Sequence, residues 1–244
     1  MSTLFFTDRN EVDINDIVLN EGVATQIDQF LKEYRFKNIL LEYGLPVNNK
    51  ILLHGATGCG KTMTARAIAK HLDRRLIIMN LSAIVSSKLG ETAKNVATLF
   101  KEASYHDAVL FLDELDTIGT MRDYDSKDNS EMKRVVNAIL QLIDDFPKKS
   151  ILIGATNRVN MLDEALLRRF ELRLEYTAPG NDVLDSYYNR LLEAYPEQYT
   201  AIEKKYGISF AEAKDHVLTS VKNNIIEAEL AKQSNNPHNL KSTI

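Results

Sequence analysis

Two hydrophobic patterns alternate along the first three quarters of the chain. Short unbroken apolar runs stand at Ile51-Leu52-Leu53, Leu76 to Met79, Ala108 to Leu112, Ile151 to Ala155 and Leu172 to Tyr176. Runs of this length with no polar alternation predict strands buried on both faces. Between them, apolar residues recur at helical spacing. Val23, Ile27, Phe30, Leu31 and Tyr34 predict a helix within residues 20–43, stopped by Gly44-Leu45-Pro46. The face Ala65, Ala67, Ile68 and Ala69 predicts one from Lys61 to about Leu72. Val96, Leu99, Phe100 and Ala103 predict another near 91–104, and a further helix runs from about Ser130 to Asp145 after a polar loop, Arg122 to Asn129. Buried strands alternating with helices predict an α/β fold with a parallel sheet flanked by helices.

After Pro179-Gly180 the pattern changes. No strand is evident, and residues 182–195 and 209–232 read as helices, the second through Ala211, Ala213, Val217, Val221, Ile225, Ala228 and Leu230. The expected organisation is an N-terminal arm over 1–13, a large α/β domain over 14–178, a small all-α domain over 179–232, and a polar, disordered tail over 233–244.

Composition narrows the function classes. The chain has 244 residues, 44% of them hydrophobic, enough for a sizeable core. A net charge of −4 lacks the basic footprint of a nucleic-acid binder, so nucleic acid is not an expected partner. The single cysteine, Cys59, excludes an internal disulfide and fits a reducing cytoplasm. The first residues show no basic, apolar leader pattern, and no apolar run approaches the ~20 residues of a membrane span. A cytoplasmic protein with no membrane partner is expected.

Four motifs carry chemistry. Gly55-x-x-x-x-Gly60-Lys61-Thr62 follows an apolar strand and opens a helix, the context a P-loop requires. Gly55, Gly58 and Gly60 permit a tight backbone whose N–H groups, with those of Thr57, Cys59 and Met63, surround a phosphate. The helix directs its positive end at that phosphate. Lys61 would reach the β and γ oxygens and Thr62 would hold Mg²⁺. Asp113 and Glu114 end a buried strand where P-loop sheets place their ligands. Asp113 would support Mg²⁺ and Glu114 would polarise the attacking water, the Walker B arrangement. Asn157, in Gly154-Ala155-Thr156-Asn157-Arg158, ends another apolar strand, where its amide would position that water. Arg168 and Arg169 close the short helix of Leu162-Asp163-Glu164-Ala165-Leu166-Leu167-Arg168-Arg169-Phe170. From residue type alone they read as a solvated helix end, which cations favour.

The order of these motifs is similar to that of the AAA ATPases. The resemblance covers about residues 14–232, and the double arginine with no Pro-Gly between resembles the single-ring katanin and spastin group and small bacterial ATPases of that type. It implies ATP as nucleotide, ATP hydrolysis as activity, and a lid domain after residue 180. It implies that Arg168 and Arg169 are fingers reaching a neighbouring subunit's nucleotide, in a ring that is usually a homo-hexamer. The family's adenine pocket corresponds to the backbone of Ile17 and Val18. Its first pore loop corresponds to Lys88-Leu89-Gly90, where an aromatic usually precedes the aliphatic residue and lysine stands here. Cys59 replaces a common threonine and is either a buried, inert thiol or one activated at a helix N-terminus. The short arm implies recognition by the arm, the ring surface or a separate protein. Two readings stay open: a ring that remodels or unfolds a protein substrate, and an ATP-gated switch or scaffold that controls a partner enzyme. A DNA motor and a small-molecule kinase fit less well, the first for charge, the second because Asn157 and the arginines would have no task.

Overall fold

A computed structural model of the chain describes residues 5–8, 10–85, 89–123 and 129–234. Strand β1 (Phe5–Asp8) and a 3-10 turn (Ile14–Asp16) lead to helices α1 (Glu21–Arg35) and α2 (Lys37–Glu42). Then follow β2 (Lys50–Gly55), α3 (Lys61–His71), β3 (Leu76–Asn80), α4 (Leu81–Val85), α5 (Leu89–Tyr105) and β4 (Val109–Asp113). Next come α6 (Asp116–Asp123), α7 (Asn129–Asp144), β5 (Ile151–Thr156), α8 (Glu164–Leu167) and β6 (Leu172–Tyr176), and last α9 (Asn181–Leu192) and α10 (Phe210–Ser234).

The five apolar runs are all strands of one sheet, in the order β1-β3-β4-β5-β2-β6. β3 through β6 run parallel, and β1 pairs antiparallel with β3 at the edge. Alternate residues of each strand face opposite layers. Leu52, Leu110, Leu112 and Leu152 pack with Val96, Leu99 and Phe100 of α5 and Val136 and Ile139 of α7. Ile51, Leu53, Val109, Phe111 and Ile153 pack with Val23, Ile27 and Phe30 of α1 and Ala65 and Ile68 of α3. Each fully buried Leu or Ile contributes roughly 1.5–3 kcal/mol, which explains why these runs tolerate no polar alternation.

The helix expected across 20–43 is two helices. Asn20 caps α1 by accepting from the Val23 N–H, and Phe36 (φ −99°, ψ 16°) leaves the helical backbone before α2 begins. Part of the expected arm is β1, which is tied to α3 by an Asp8–Arg66 ion pair at 2.6 Å. Four residues are too few to show a periodicity.

The chain divides into two compact units between Thr177 and Ala178. The second has its own core of Leu184 and Tyr188 from α9 and Ala213, Val217 and Val221 from α10. The fully buried Tyr188 donates its hydroxyl to the Lys205 carbonyl at 2.9 Å. α10 runs through Ser234, and the rest of the expected tail lies outside the described residues. Lys88 also lies outside them; Leu89 and Gly90 open α5, and their side chains are not among those described. Among the described residues, no helix is long and apolar enough to cross a membrane.

Candidate active site

The β2–α3 connection crosses two strands, so β2 lies beside β5, and β5 beside β4. This brings the carboxyl ends of β2, β4 and β5 side by side, the crevice where open parallel sheets bind ligands. The three strands carry the P-loop, Asp113-Glu114 and Asn157 respectively.

The loop begins at Gly55, with φ 120°. A Cβ there would stand 2.1 Å from the Tyr176 carbonyl oxygen, so only glycine fits. The Ala56 N–H donates to that same oxygen at 2.8 Å. Gly60, with φ 102°, caps α3 without a side chain, leaving first-turn N–H groups for an anion. Lys61 is 8% exposed, and its Nζ donates to the Gly55 and Ala56 carbonyls, both at 2.8 Å. Burial pulls its pKa below the usual lysine value, against the opposing influence of Cys59, Asp113 and Asp116. Thr57 and Met63 are exposed and Thr62 half-buried. Cys59 is 3% exposed, which favours the buried reading of its thiol. Ile17 and Val18 are half-buried and follow the 3-10 turn, which packs against α3.

Burial raises the Asp113 carboxyl above its usual range, and the Glu114 N–H, donating to its Oδ1 at 3.0 Å, opposes this. Glu114 itself adopts φ 57°, a conformation non-glycine residues rarely hold. The next N–H, of Leu115, donates to the Ala155 carbonyl at 2.8 Å, fixing the turn after β4 against β5. Asn157 is exposed immediately beyond β5.

Arg168 and Arg169 lie elsewhere. They precede β6, and Leu172 pairs with Ile51 whereas Tyr176 pairs with Gly55. The arginines are therefore toward the amino edge of the sheet, about 15 Å from the P-loop edge at ~3.3 Å per strand residue. The two also differ from each other. The Arg168 side chain is 72% exposed and lies 3.9 Å from Glu164 on its own helix. Arg169 is held by the chain: it donates to the Ala165 carbonyl at 2.6 Å and to Asp144 at the end of α7 at 2.8 Å.

The sequence profile described as "ATPase family associated with various cellular activities (AAA)" matches residues 51–178. The chain belongs to this AAA family of ATPases. It is 35% identical over 216 residues to the uncharacterized AAA family ATPase y4kL of Sinorhizobium fredii, covering 87% of this chain and 65% of that protein. It is 35% identical over 187 residues to Cell division protein C of Sulfolobus acidocaldarius, covering 72% of this chain and 49% of that protein. The chain thus spans less than two thirds of either relative. The crystal structure of the FIGL-1 AAA domain in complex with ADP shares the fold, with a TM-score of 0.74 at 24% identity over 93% of this chain and 78% of that one.

Within this AAA fold, several site residues escaped the sequence reading. Tyr176 donates its buried hydroxyl to Thr64 Oγ1 at 2.7 Å, and Thr64 donates to the Gly60 carbonyl at 3.1 Å, so β6 braces the P-loop from the side. Burial raises the Tyr176 pKa well above the usual tyrosine range, so it stays a donor. Thr156 donates to Asp116 Oδ1 at 2.7 Å and accepts from the Arg158 N–H at 2.9 Å. Tyr176 and Thr64, like Thr156 and Asp116, lie far apart in sequence, so no local pattern signals these ties. The donor set fits Mg²⁺: a hydroxyl on Thr62 and a carboxyl on Asp113, whose raised pKa marks a buried charge that a hard cation would relieve.

Proposed function

We propose that this AAA protein binds ATP at Lys61 and the surrounding loop, hydrolyses it, and does so as a homo-hexameric ring acting on another protein. The observation that supports the reading is the separation of two groups of polar residues on one chain. Lys61, Asp113, Glu114 and Asn157 share one sheet edge, whereas the exposed Arg168 stands toward the other. A neighbour must then supply the arginine to each nucleotide.

The roles follow from position. Lys61 and the N–H groups of the loop bind the terminal phosphates. Glu114 orients and polarises the attacking water, and the Asn157 amide holds it in line. Arg168 of the adjoining subunit stabilises charge on the transferring phosphoryl group, an effect worth roughly 10³–10⁵ in rate in related nucleotidases. Thr62 and Asp113 would hold Mg²⁺, which when bound would neutralise phosphate charge. In this reading the adenine rests on the backbone of Ile17 and Val18, an assignment supported by the family resemblance.

ATPase activity per protomer, measured across a wide range of protein concentration alongside sizing of the same samples, tests this. A steep rise that tracks assembly supports a site completed between subunits. A full rate from sized monomers overturns it.

A second reading, an ATP-gated switch that controls a partner enzyme without threading a polypeptide, is favoured by Lys88 in place of an aromatic before Leu89-Gly90. ATP-driven loss of fluorescence from a tagged fluorescent protein, abolished by Leu89→Ala, selects the remodelling ring. Nucleotide-dependent partner binding with no such loss selects the switch.

A further inference from the structure

Beyond Leu112 and Gly154 the β4–β5 ladder stops, while β4 stays paired with β3 through Asp113 and β5 with β2 through Thr156, and the two strands end in separate turns. One turn carries Glu114 and the other Asn157. Both groups act on one water in the proposed reaction, so their relative placement matters as much as their presence. A displacement of about 1 Å in such a pair costs up to ~10²-fold in rate. The left-handed backbone of Glu114 also needs its surroundings to over-determine it.

We propose that Asp116 and Thr156 are positioning residues, a side-chain tie that continues the ladder past its last backbone pair and holds the Glu114 turn in register with the Asn157 turn. The inference rests on the hydrolysis reading above. Three observations carry it. The Thr156 hydroxyl is used in both directions at once, donating to Asp116 at 2.7 Å and accepting from the Arg158 N–H at 2.9 Å, so the two turns meet at one oxygen. Thr156 is 1% exposed, so water has little access to replace that hydroxyl. The tie sits directly beside the Leu115 N–H to Ala155 bond, at 2.8 Å, and the Thr117 N–H to Glu114 carbonyl bond, at 3.0 Å. Glu114 is thereby bracketed on its C-terminal side. A hydroxyl donating to a carboxylate is among the stronger neutral-to-charged bonds, suited to hold such a turn.

Thr156→Val removes the hydroxyl and keeps the shape. The variants Thr156→Val, Thr156→Ser and Asp116→Ala, with the Thr156→Val/Asp116→Ala double, are compared in the full chain by kcat, by Kd for a fluorescent ATP analogue, and by amide hydrogen exchange. For Thr156→Val the expected result is a kcat about ten- to a hundred-fold lower with Kd unchanged, and faster exchange both at Leu115–Ile118 and at Arg158. Thr156→Ser recovers most of the loss, and the double variant is no worse than Thr156→Val, because the pair acts as one unit. Wild-type kcat in Thr156→Val overturns the proposal. So does faster exchange confined to Arg158, or a kcat that falls only in step with Kd and Tm. If the wild-type chain turns over no ATP, the hydrolysis reading fails instead, and the exchange at Leu115–Ile118 in Thr156→Val alone decides whether the tie exists.

Discussion

Arg168 and Arg169 are adjacent and identical in type, yet their surroundings differ. Arg169 is anchored by Asp144 and the Ala165 carbonyl, and Arg168 projects into solvent. Arg168→Ala is expected to leave Tm unchanged and cut ATP turnover by orders of magnitude. Arg169→Ala is expected to lose about 1 kcal/mol of stability as well, about 2–4 °C in Tm for a chain of this size. Equal Tm in both variants, by calorimetry, contradicts the distinction. Asp113 gives a second residue-scale test. Burial holds its carboxyl above the 3.8 of an unfolded aspartate, so the folded chain binds that proton more tightly than the unfolded chain does. The associated stability is complete below that value and is lost as pH rises through the folded pKa. Asp113→Asn is therefore expected to raise Tm at pH 7, and to raise it less near pH 4, while weakening Mg²⁺-dependent turnover. A lower Tm at pH 7 would contradict the sign.

At the scale of elements, β6 is more than a sheet edge. Its last residue, Tyr176, supplies the carbonyl that leaves room only for Gly55 and the hydroxyl that reaches Thr64 on α3. The strand and the P-loop helix are thus braced together independently of any bound phosphate. Tyr176→Phe removes one buried hydrogen bond, at a cost of about 1 kcal/mol or about 2–4 °C in Tm. ATP affinity falls with it, because the loop's amide directions lose a brace. Thermal melting with nucleotide titration checks both, and an unchanged Kd would confine Tyr176 to stability. The buried strands β4 and β5, free of polar side chains up to their last residues, have the complementary role: they present Glu114 and Asn157 from a part of the sheet that packs on both faces.

At the scale of the whole molecule, a site divided between opposite sheet edges predicts complementation. In the proposed ring, an Arg168→Ala subunit would bind ATP but give its neighbour no arginine, and a Lys61→Ala subunit would bind no ATP but still offer Arg168. Mixing the two inactive variants is expected to restore part of the activity, up to the fraction of interfaces with an intact pair. Mixtures as inactive as either component would argue against a finger supplied in trans.

The five apolar strands, and the positions of the P-loop pattern, the acidic pair and Asn157 at strand ends, were legible along the chain because each is a contiguous signal, a buried run ending in a turn. The fold class followed from the alternation of such runs with helical spacing. The ties that fix the site were not legible, since they join residues 112 apart (Tyr176 and Thr64), 40 apart (Thr156 and Asp116) and 25 apart (Arg169 and Asp144). A local pattern records which face a residue presents, and carries nothing about which strand lies beside it. That depends on the crossover that seats β2 between β5 and β6, and the parallel register of β6 with β2 puts the arginines, which precede β6, toward the edge away from the P-loop. The kinds of chemistry were written in residue types and spacing, while their partners and directions came from strand order, because hydrogen bonds and burial act between neighbours in space.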